Sequence, residues 1–382
     1  MLRSTDRILT THTGSMPRPT ALMQLLDRLD RGRLTDEDRA AYPELVKSAV
    51  TDIVGKQLDA GVDVVNDGEM SKVSYSTYVT ERVSGFGGKG EPLVIADYLD
   101  FPAYAESLGI DPSALMTYPA CIGELSYDRP ELVHNDLANL ADAVRDKQPS
   151  EVFMSAASPG VISAFIQNQH YPDHESYLQA LAEVMKTEYD AIHQAGFLVQ
   201  LDCPDLAMGR HLQFADLTTA QWRTQIEKHI EAINAATRDI PADRLRMHLC
   251  WGNYEGPHTR DVPLTDVLDI VLKARPAGLS FEASNPRHEH EWRVFEDVKL
   301  PDGKVLLPGV IDSTNNYVEH PELIAERITR LAKLVGRENV IASSDCGFGT
   351  AAQMVQVHPD ITWAKFRAMS EGAALATRSL WG

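Results

Sequence analysis

The chain has 382 residues, of which 43% are hydrophobic and 24% are charged, and its formal net charge is −19 at pH 7. A chain of this length and composition can bury a large core. The acidic balance argues against nucleic acid and anionic membranes as partners, because both bind a basic protein face.

The number of cysteines and the hydropathy of the chain indicate the cellular compartment of the protein. Four cysteines are too few for a disulfide scaffold in a chain of this length. Residues 1–8 are polar and lack the apolar core of a signal peptide, and no apolar run approaches the eighteen residues of a membrane span. The sequence therefore predicts a reduced, soluble, cytoplasmic protein.

The predicted elements alternate between strand and helix along the chain. The β-branched run 8–15 is stopped by Gly14, Pro17 and Pro19, which predicts a strand that delivers a tight turn. Helices are predicted at 20–31, 42–60, 176–194 and 321–335 from their one-sided apolar pattern. Three times an Ala-Gly pair precedes an apolar strand that runs into an acidic residue, at Glu69, Asp202 and Glu282. Apolar strands separated by helices indicate a parallel sheet covered on both faces.

The number of strands distinguishes an open sheet from a barrel. Nine candidates lie at 8–15, 62–69, 118–126, 151–158, 197–202, 245–251, 278–283, 306–312 and 339–346. The run 118–126 lies in a turn-rich region, so we interpret residues 85–128 as an inserted hairpin in which it pairs with residues 93–95. Eight strands remain, which predicts a single α/β domain over 1–382, a (β/α)₈ TIM barrel.

Several chemically reactive side chains fall at the carboxyl ends of these strands, where such barrels carry their active sites. His248 and Cys250 project to the same face of one strand, because side chains alternate along it. Glu282 and Cys346 end two later strands. An imidazole, two thiolates and a carboxylate suit Zn²⁺. The alternatives are a zinc site that only stabilises the fold and a buried core cysteine beside a histidine.

These residues carry a resemblance to a known family. The stretches concerned are 11–17 (THTGSMP), 67–69 (DGE), 201–204 (LDCP), 248–250 (HLC), Glu282 and 345–347 (DCG). Together they resemble the catalytic carboxy-terminal barrel of the cobalamin-independent methionine synthase superfamily. The chain is similar in extent to its short, single-barrel relatives, among them the epoxyalkane:coenzyme M transferases.

The resemblance implies a role for each matching residue. The turn with Thr13, Gly14 and Ser15 receives an amino acid substrate, and Glu69 and Asp202 hold its amine. The zinc ligands are His248, Cys250, Glu282 and Cys346. Phe165 lies where the methionine synthases place a tryptophan on the folate ring, with a core role as the alternative.

Other residues near the strand ends also have candidate roles. Arg287 is a candidate partner for a substrate carboxylate or sulfonate. Asp345 either orients a ligand or proton or caps a helix at 347–354. His288 and His290 form either a second metal site or part of a charged loop.

The predicted function is a zinc-dependent methyl or alkyl transferase that activates a homocysteine-like thiol as a zinc-bound thiolate. The alternatives are an epoxyalkane:coenzyme M-type transferase, a metal-free uroporphyrinogen-decarboxylase-like enzyme and a non-catalytic zinc protein. Thr314 replaces a histidine that the family uses as a proton relay. Three alternatives follow: another acid substitutes, such as Asp312 with a water or a histidine of the 288–290 loop; the donor has a better leaving group than a tertiary amine; or the protein is a slow folate-dependent enzyme. A donor other than methyltetrahydrofolate polyglutamate is favoured. Partners are the small-molecule thiol and donor, and a homo-oligomer is one option.

Overall fold

The computed structural model describes residues 1–111, 116–352 and 354–382. Its strands are β1 (Leu9–Thr10), β2 (Val64–Val65), β3 (Val83–Gly87), β4 (Ala120–Tyr127), β5 (Glu151–Ala157), β6 (Leu198–Asp202), β7 (Leu245–Leu249), β8 (Gly278–Phe281), β9 (Val305–Ile311) and β10 (Ile341–Ser344). Eight of them form a parallel sheet in the order β1-β10-β9-β8-β7-β6-β5-β2.

The two edge strands of this sheet, β1 and β2, meet through separate hydrogen bonds. Thr11 Oγ1 donates to Val64 O at 3.1 Å, and the Asp63 N–H donates to Thr10 O at 3.1 Å. With these bonds the sheet nearly closes into a cylinder, and the predicted (β/α)₈ barrel is confirmed. The carboxyl ends of all eight strands consequently meet at one end of the barrel.

Helices cover the outside of the barrel. They are α1 (Thr20–Asp30), α2 (Asp36–Asp59), α3 (Ala96–Asp100), α4 (Pro102–Ser107), α5 (Pro130–Val144), α6 (Pro159–Phe165), α7 (His174–Gln194), α8 (Gly209–Leu212), α9 (Thr219–Ala236), α10 (Leu268–Val271), α11 (Val294–Asp297), α12 (Pro321–Val335) and α13 (Pro359–Trp381). Among the described residues, none of these helices is both long and apolar enough to cross a bilayer.

The four predicted helices are confirmed as α1, α2, α7 and α12, and only α2 differs clearly in its start. It begins at Asp36 rather than near Tyr42 because Thr35 caps it. Thr35 Oγ1 accepts the Asp38 N–H at 3.1 Å, and the Asp38 carboxylate accepts the Thr35 N–H at 3.0 Å. This reciprocal pair satisfies two N–H groups that have no partner inside the helix.

The insertion forms a hairpin, but the predicted pairing within it is wrong. Strand β4 pairs antiparallel with β3, not with residues 93–95. Leu93 makes only an isolated bridge to Met116. Pro92 precedes Leu93 and lacks an N–H, so a longer ladder is not available there. Part of the predicted range, residues 112–115, lies outside the described residues.

The insertion also contacts a loop at the carboxyl end of the barrel. Asp97 at the start of α3 accepts the Tyr254 hydroxyl at 2.7 Å and the Thr259 hydroxyl at 2.6 Å. Asp100 pairs with Arg260. The loop after β7 is therefore held by the insertion.

A buried arginine ties the strand that carries His248 to the first strand. Arg246 on β7 donates to Thr11 Oγ1 at 2.9 Å and to His12 O at 2.7 Å. Its guanidinium lies over the Phe153 ring, 4.1 Å from the centroid. These contacts fix β7 from inside the barrel and so set the height at which His248 projects.

Candidate active site

Three predicted metal ligands come together at the carboxyl end of the barrel. His248 lies on β7, Cys250 follows that strand directly, and Cys346 follows β10. All three are buried, and one ligand atom from each lies within 4.8 Å of the others. The two sulfur atoms are 3.2 Å apart. Among the described residues this is the group of histidine, cysteine and acidic side chains whose spacing suits a metal ion.

The imidazole of His248 is prepared to act as a neutral ligand. Its Nδ1 lies 3.1 Å from Ser280 Oγ, whereas its Nε2 is buried without a hydrogen-bond partner. Burial, with a contribution from Arg246, lowers the pKa of His248 to about 3. If Nδ1 carries the proton and donates to Ser280, the lone pair on Nε2 is free for a metal.

The two thiols also fit a cation. Burial, followed by the contact with Cys250, raises the pKa of Cys346 well above its ordinary value. The hydrogen bond with Cys346 lowers the pKa of Cys250, but burial and the nearby Glu282 leave it raised overall. Two adjacent buried thiolates repel each other, and coordination to a divalent metal removes that cost. The residues present therefore fit Zn²⁺.

Glu282 follows β8 beside this group but is not one of its three members. Its Oε1 accepts the Trp251 N–H at 2.8 Å, and its Oε2 accepts the Asn285 amide at 2.8 Å. Burial raises its pKa. Direct ligation by Glu282 stays a prediction, with both oxygens already engaged by neighbouring donors.

One pocket joins the histidine–cysteine group to two carboxylates. It contains about 390 Å³ of space between protein atoms, including its opening to solvent. The residues that line it are Thr13, Ser15, Glu69, Tyr75, Asp202, Pro204, His248, Cys250, Asn253, Cys346, Gly347 and Thr350. Seven of the residues that the sequence assigned to substrate or metal thus line one cavity, namely Thr13, Ser15, Glu69, Asp202, His248, Cys250 and Cys346.

The carboxylate end of this pocket is closely packed. A Cβ on Gly14, whose φ is +151°, would lie 2.5 Å from both Glu69 Oε1 and Ser155 Oγ, so glycine is required there. Glu69 Oε2 is buried without a hydrogen-bond partner. Burial, followed by the charge of Glu69, raises the pKa of Asp202 well above its ordinary value. Two neighbouring buried carboxylates favour a cation between them.

Comparison with known families identifies the chain's relatives. The model of the catalytic domain of the cobalamin-independent synthases matches residues 113–371. The chain belongs to the cobalamin-independent synthase family. The methionine synthase of Pyrococcus horikoshii is 26% identical over 339 residues, covering 88% of this chain and 85% of that protein. The methionine synthase of Sulfolobus acidocaldarius is 25% identical over 359 residues, covering 93% and 90%.

Solved structures agree with this fold. A B12-independent methionine synthase from Shewanella sp. W3-18-1, in complex with selenomethionine, superposes with a TM-score of 0.74 at 19% identity, covering 98% of this chain and 99% of that one. A putative methionine synthase from Listeria monocytogenes gives 0.64 at 18% identity, with the same coverage. The matching family and relatives support a thiol methyltransferase.

Two predicted catalytic residues of this synthase-family chain do not line the pocket. The carboxylate of Asp345 accepts the backbone N–H groups of Ala283, Ser284 and Asn285 at 2.8 to 2.9 Å. Burial, with the charge of Asp312, raises its pKa to about 7. Asp312 accepts the N–H and hydroxyl of Thr314 at 2.7 and 2.8 Å and also the Asn315 amide. Both carboxylates thus hold loops in place.

The alternative role of Asp345 as a helix cap is also not seen. Residues 347–352 form turns and a bridge rather than a helix, and residue 353 lies outside the described part of the chain. Asp345 instead caps the turn that follows β8. That turn carries Asn285, whose amide also reaches Glu282 Oε2, so Asp345 acts on the site through Asn285.

The remaining predicted residues lie around the pocket without lining it. Phe165 packs edge-to-face on Tyr75, with ring centroids 5.8 Å apart. The side chain of Arg287 is exposed. His290 is exposed, whereas both ring nitrogens of His288 contact carboxylates, so these two histidines are not brought together as ligands.

Three pocket residues were not singled out from the sequence: Tyr75, Asn253 and Thr350. Each lies on the loop that follows a barrel strand, a few residues after Glu69, Cys250 and Cys346 respectively. Their position in loops that follow barrel strands is the one feature of the sequence that could have identified them, because such loops build the active sites of these barrels.

Proposed function

We propose that the protein is a zinc-dependent methyltransferase that methylates the thiol of an amino acid, with homocysteine as the substrate. The observation that supports this is the single pocket that has the His248, Cys250 and Cys346 group at one end and Glu69 and Asp202 at the other. A free thiol is mostly protonated near neutral pH, and a metal can convert it to the nucleophilic thiolate; a carboxylate can pair with an ammonium group. The names of the relatives point to the same reaction.

The metal would be held by His248, Cys250 and Cys346, with Glu282 as the fourth and most replaceable ligand. Bound Zn²⁺ lowers the pKa of a coordinated thiol, so that the substrate sulfur is present as thiolate. Glu69 and Asp202 hold the substrate ammonium and thereby orient the sulfur toward the metal end. The buried walls of the pocket exclude water, which strengthens both interactions.

We further propose that the methyl donor is not methyltetrahydrofolate polyglutamate. Thr314 replaces the family's proton-relaying histidine, and its hydroxyl donates to Asp312 rather than facing the pocket. His248 is the only histidine among the residues that line the pocket in the described chain. General acid catalysis typically contributes 10²–10⁴-fold, which a poor amine leaving group would lose here.

The donor is tested by single-turnover methylation of homocysteine. Methyltetrahydrofolate is compared with methylcobalamin and with small electrophiles, in wild type and in Thr314→His. We expect folate to be a slow donor that Thr314→His accelerates. If folate is the fastest donor and the substitution has no effect, the missing acid is irrelevant.

The metal is tested by analysis of purified wild type, Cys250→Ser and Cys346→Ser. Wild type should hold one Zn²⁺ per chain, and both variants should be strongly depleted and should lose methyl transfer to homocysteine. Cys121→Ser is the matched control, because Cys121 is a buried free thiol on β4 away from the pocket. A wild-type zinc content in both Cys250→Ser and Cys346→Ser would contradict the proposal.

The ammonium contact is tested separately with Glu69→Gln. The substitution should weaken binding of homocysteine far more than binding of 4-mercaptobutanoate, which lacks only the amine. Equal weakening of the two thiols would instead favour a substrate without an amine, as in the coenzyme M-type alternative.

A further inference from the structure

A glutamine lies inside the barrel, beneath the carboxylate end of the pocket. Gln200 is on β6, two residues before Asp202, so both side chains project to the inner face of that strand. Gln200 is fully buried and does not line the pocket. In the parallel register it lies between Ser155 on β5 and Arg246 on β7, whereas Asp202 lies level with His248. Gln200 therefore belongs to the layer of side chains below the proposed site.

The side-chain amide of Gln200 connects two parts of that site. Its Nε2 donates to Asp202 Oδ1 at 2.9 Å and also to the backbone O of Thr13, which begins the turn with Gly14 and Ser15. An amide nitrogen carries two protons, so each acceptor can receive one. The reverse orientation of the amide would place its oxygen against two acceptors. One side chain thus joins the carboxylate on β6 to the turn after β1.

The contact with Gln200 also determines how Asp202 meets the pocket. Oδ1 accepts from Gln200, whereas Oδ2 has no hydrogen-bond partner among the described residues. Because Asp202 lines the pocket, Oδ2 is the oxygen that is left for a ligand. Burial and the charge of Glu69 raise the pKa of Asp202, and the hydrogen bond from Gln200 opposes that rise. Gln200 therefore orients the carboxylate and favours its ionised form.

The chain that follows β1 is held from two sides. On one side, Thr13 Oγ1 donates to Ser344 O at 3.2 Å. From the layer below, Arg246 donates to His12 O at 2.7 Å and Gln200 donates to Thr13 O. Removal of the Gln200 amide would leave the contacts of Ser344 and Arg246 in place. The turn should then shift within the site without unfolding.

We propose that Gln200 is a positioning residue for the amino acid end of the substrate, because it holds Asp202 and the turn after β1 in a fixed relation to each other. This inference rests on the proposed function, from which it takes the amino acid thiol and the role of Asp202. Gln200 itself does not touch the substrate.

The test compares Gln200→Met with wild type on two thiols. Methionine has a similar length and no N–H, and 1-propanethiol is homocysteine without its ammonium and carboxylate groups. Binding is followed by the new thiolate-to-metal absorption in Co²⁺-substituted protein, so no methyl donor is needed. The variant should bind homocysteine roughly 10- to 150-fold more weakly, the range for a hydrogen bond to a charged group, and 1-propanethiol within about twofold of wild type.

Gln200→Glu is a second variant that keeps the shape of the side chain. Its carboxyl group has at most one proton for two acceptors, so it should also weaken homocysteine binding selectively. Gln213→Met is the matched control, because the Gln213 amide donates to Ser163 O at 3.2 Å and neither residue lines the pocket. The control should bind both thiols as wild type does, with equal cobalt content in all four proteins.

The outcomes separate the two proposals. Equal weakening of both thiols, loss of cobalt, or unchanged homocysteine binding in the two Gln200 variants overturns the positioning role while the proposed function stands. If Gln200→Met does not fold, Gln200→Glu decides the question alone. If wild type binds neither thiol at the metal, the proposed function fails and this inference falls with it.

Discussion

Two buried histidines near the same end of the barrel have opposite charge states. His248 has one hydroxyl partner, a free Nε2 and a pKa lowered to about 3 by burial. His288 contacts Glu291 Oε2 through Nδ1 and Asp261 Oδ2 through Nε2, each at 2.9 Å. Those two carboxylates outweigh burial and raise its pKa to about 10.

The contrast shows that burial alone does not decide what a histidine does. Burial disfavours the charged imidazole at both sites, and the partners then decide the outcome. The carboxylates make His288 an imidazolium that stacks on Trp251 with centroids 4.2 Å apart. The single hydroxyl of Ser280 leaves His248 a neutral base with a lone pair. Only the second arrangement suits a metal ligand.

The largest effect, on the free energy of unfolding, is expected when the charge of His288 is removed. His288→Gln removes one partner of a buried ion pair and leaves Asp261 and Glu291 with less compensation, which should cost about 3–5 kcal/mol in the free energy of unfolding. Urea unfolding measures it, with His290→Gln as the exposed neighbouring control, expected within about 0.5 kcal/mol of wild type. Metal content should stay normal. Loss of metal without loss of stability would reverse the two assignments.

Replacing the neutral imidazole of His248 should instead weaken metal binding. Structural zinc binds with about 10–16 kcal/mol, so one of four ligands contributes about 2.5–4 kcal/mol, and His248→Gln should lose that much. Competition with a chelator measures the affinity. The metal-free protein should lose little stability, since Nε2 has no protein partner to forfeit. Unchanged affinity in this variant would exclude His248 as a ligand.

The comparison of the two histidines can be tested further at Ser280, whose hydroxyl contacts Nδ1 of His248. Ser280→Ala removes the partner of Nδ1, and loss of such an outer contact typically weakens metal binding about 10- to 100-fold. Ser343→Ala is the control, because Ser343 Oγ is buried without a partner. The chelator assay applies again. Equal affinities in the two serine variants would mean that the tautomer of His248 is set by something else.

The smallest expected effect is a pH dependence of the charged site. The folded pKa of His288, about 10, lies above the ordinary value of 6.5. Its stabilisation is therefore complete below pH 6.5 and is lost as pH rises toward 10. Between pH 7 and 8 the unfolding free energy of wild type relative to His288→Gln should fall by about 1.4 kcal/mol. A difference that grows over this interval would contradict the imidazolium assignment.

The sequence predicted the barrel, and it placed His248, Cys250 and Cys346 at the carboxyl ends of barrel strands, because both follow from local periodicity. Alternation along β7 places His248 and Cys250 on one face, and apolar strand runs mark the eight strands. The observed strands are shorter than predicted at β1 and β2, where Leu9–Thr10 and Val64–Val65 alone are paired. There the chain bends away into the loops that form the pocket.

What the sequence could not predict depends on contacts between distant loops. Tyr75 enters the pocket through its bond to Thr350, far along the chain. Asp345 has the pattern of a catalytic carboxylate, yet its oxygens are taken by three N–H groups after β8. Periodicity carries no information about such pairings, because they depend on how two loops meet.

The separation of the two cysteines in the chain has a consequence during synthesis. Cys250 and Cys346 are 96 residues apart, and β10, which precedes Cys346, also pairs with β1. At about 5–20 residues per second, the ribosome adds the second thiol roughly 5–20 s after the first. For that interval the nascent chain carries His248 and Cys250 without Cys346, and the arrival of β10 brings in the second thiol and completes the barrel wall in one step.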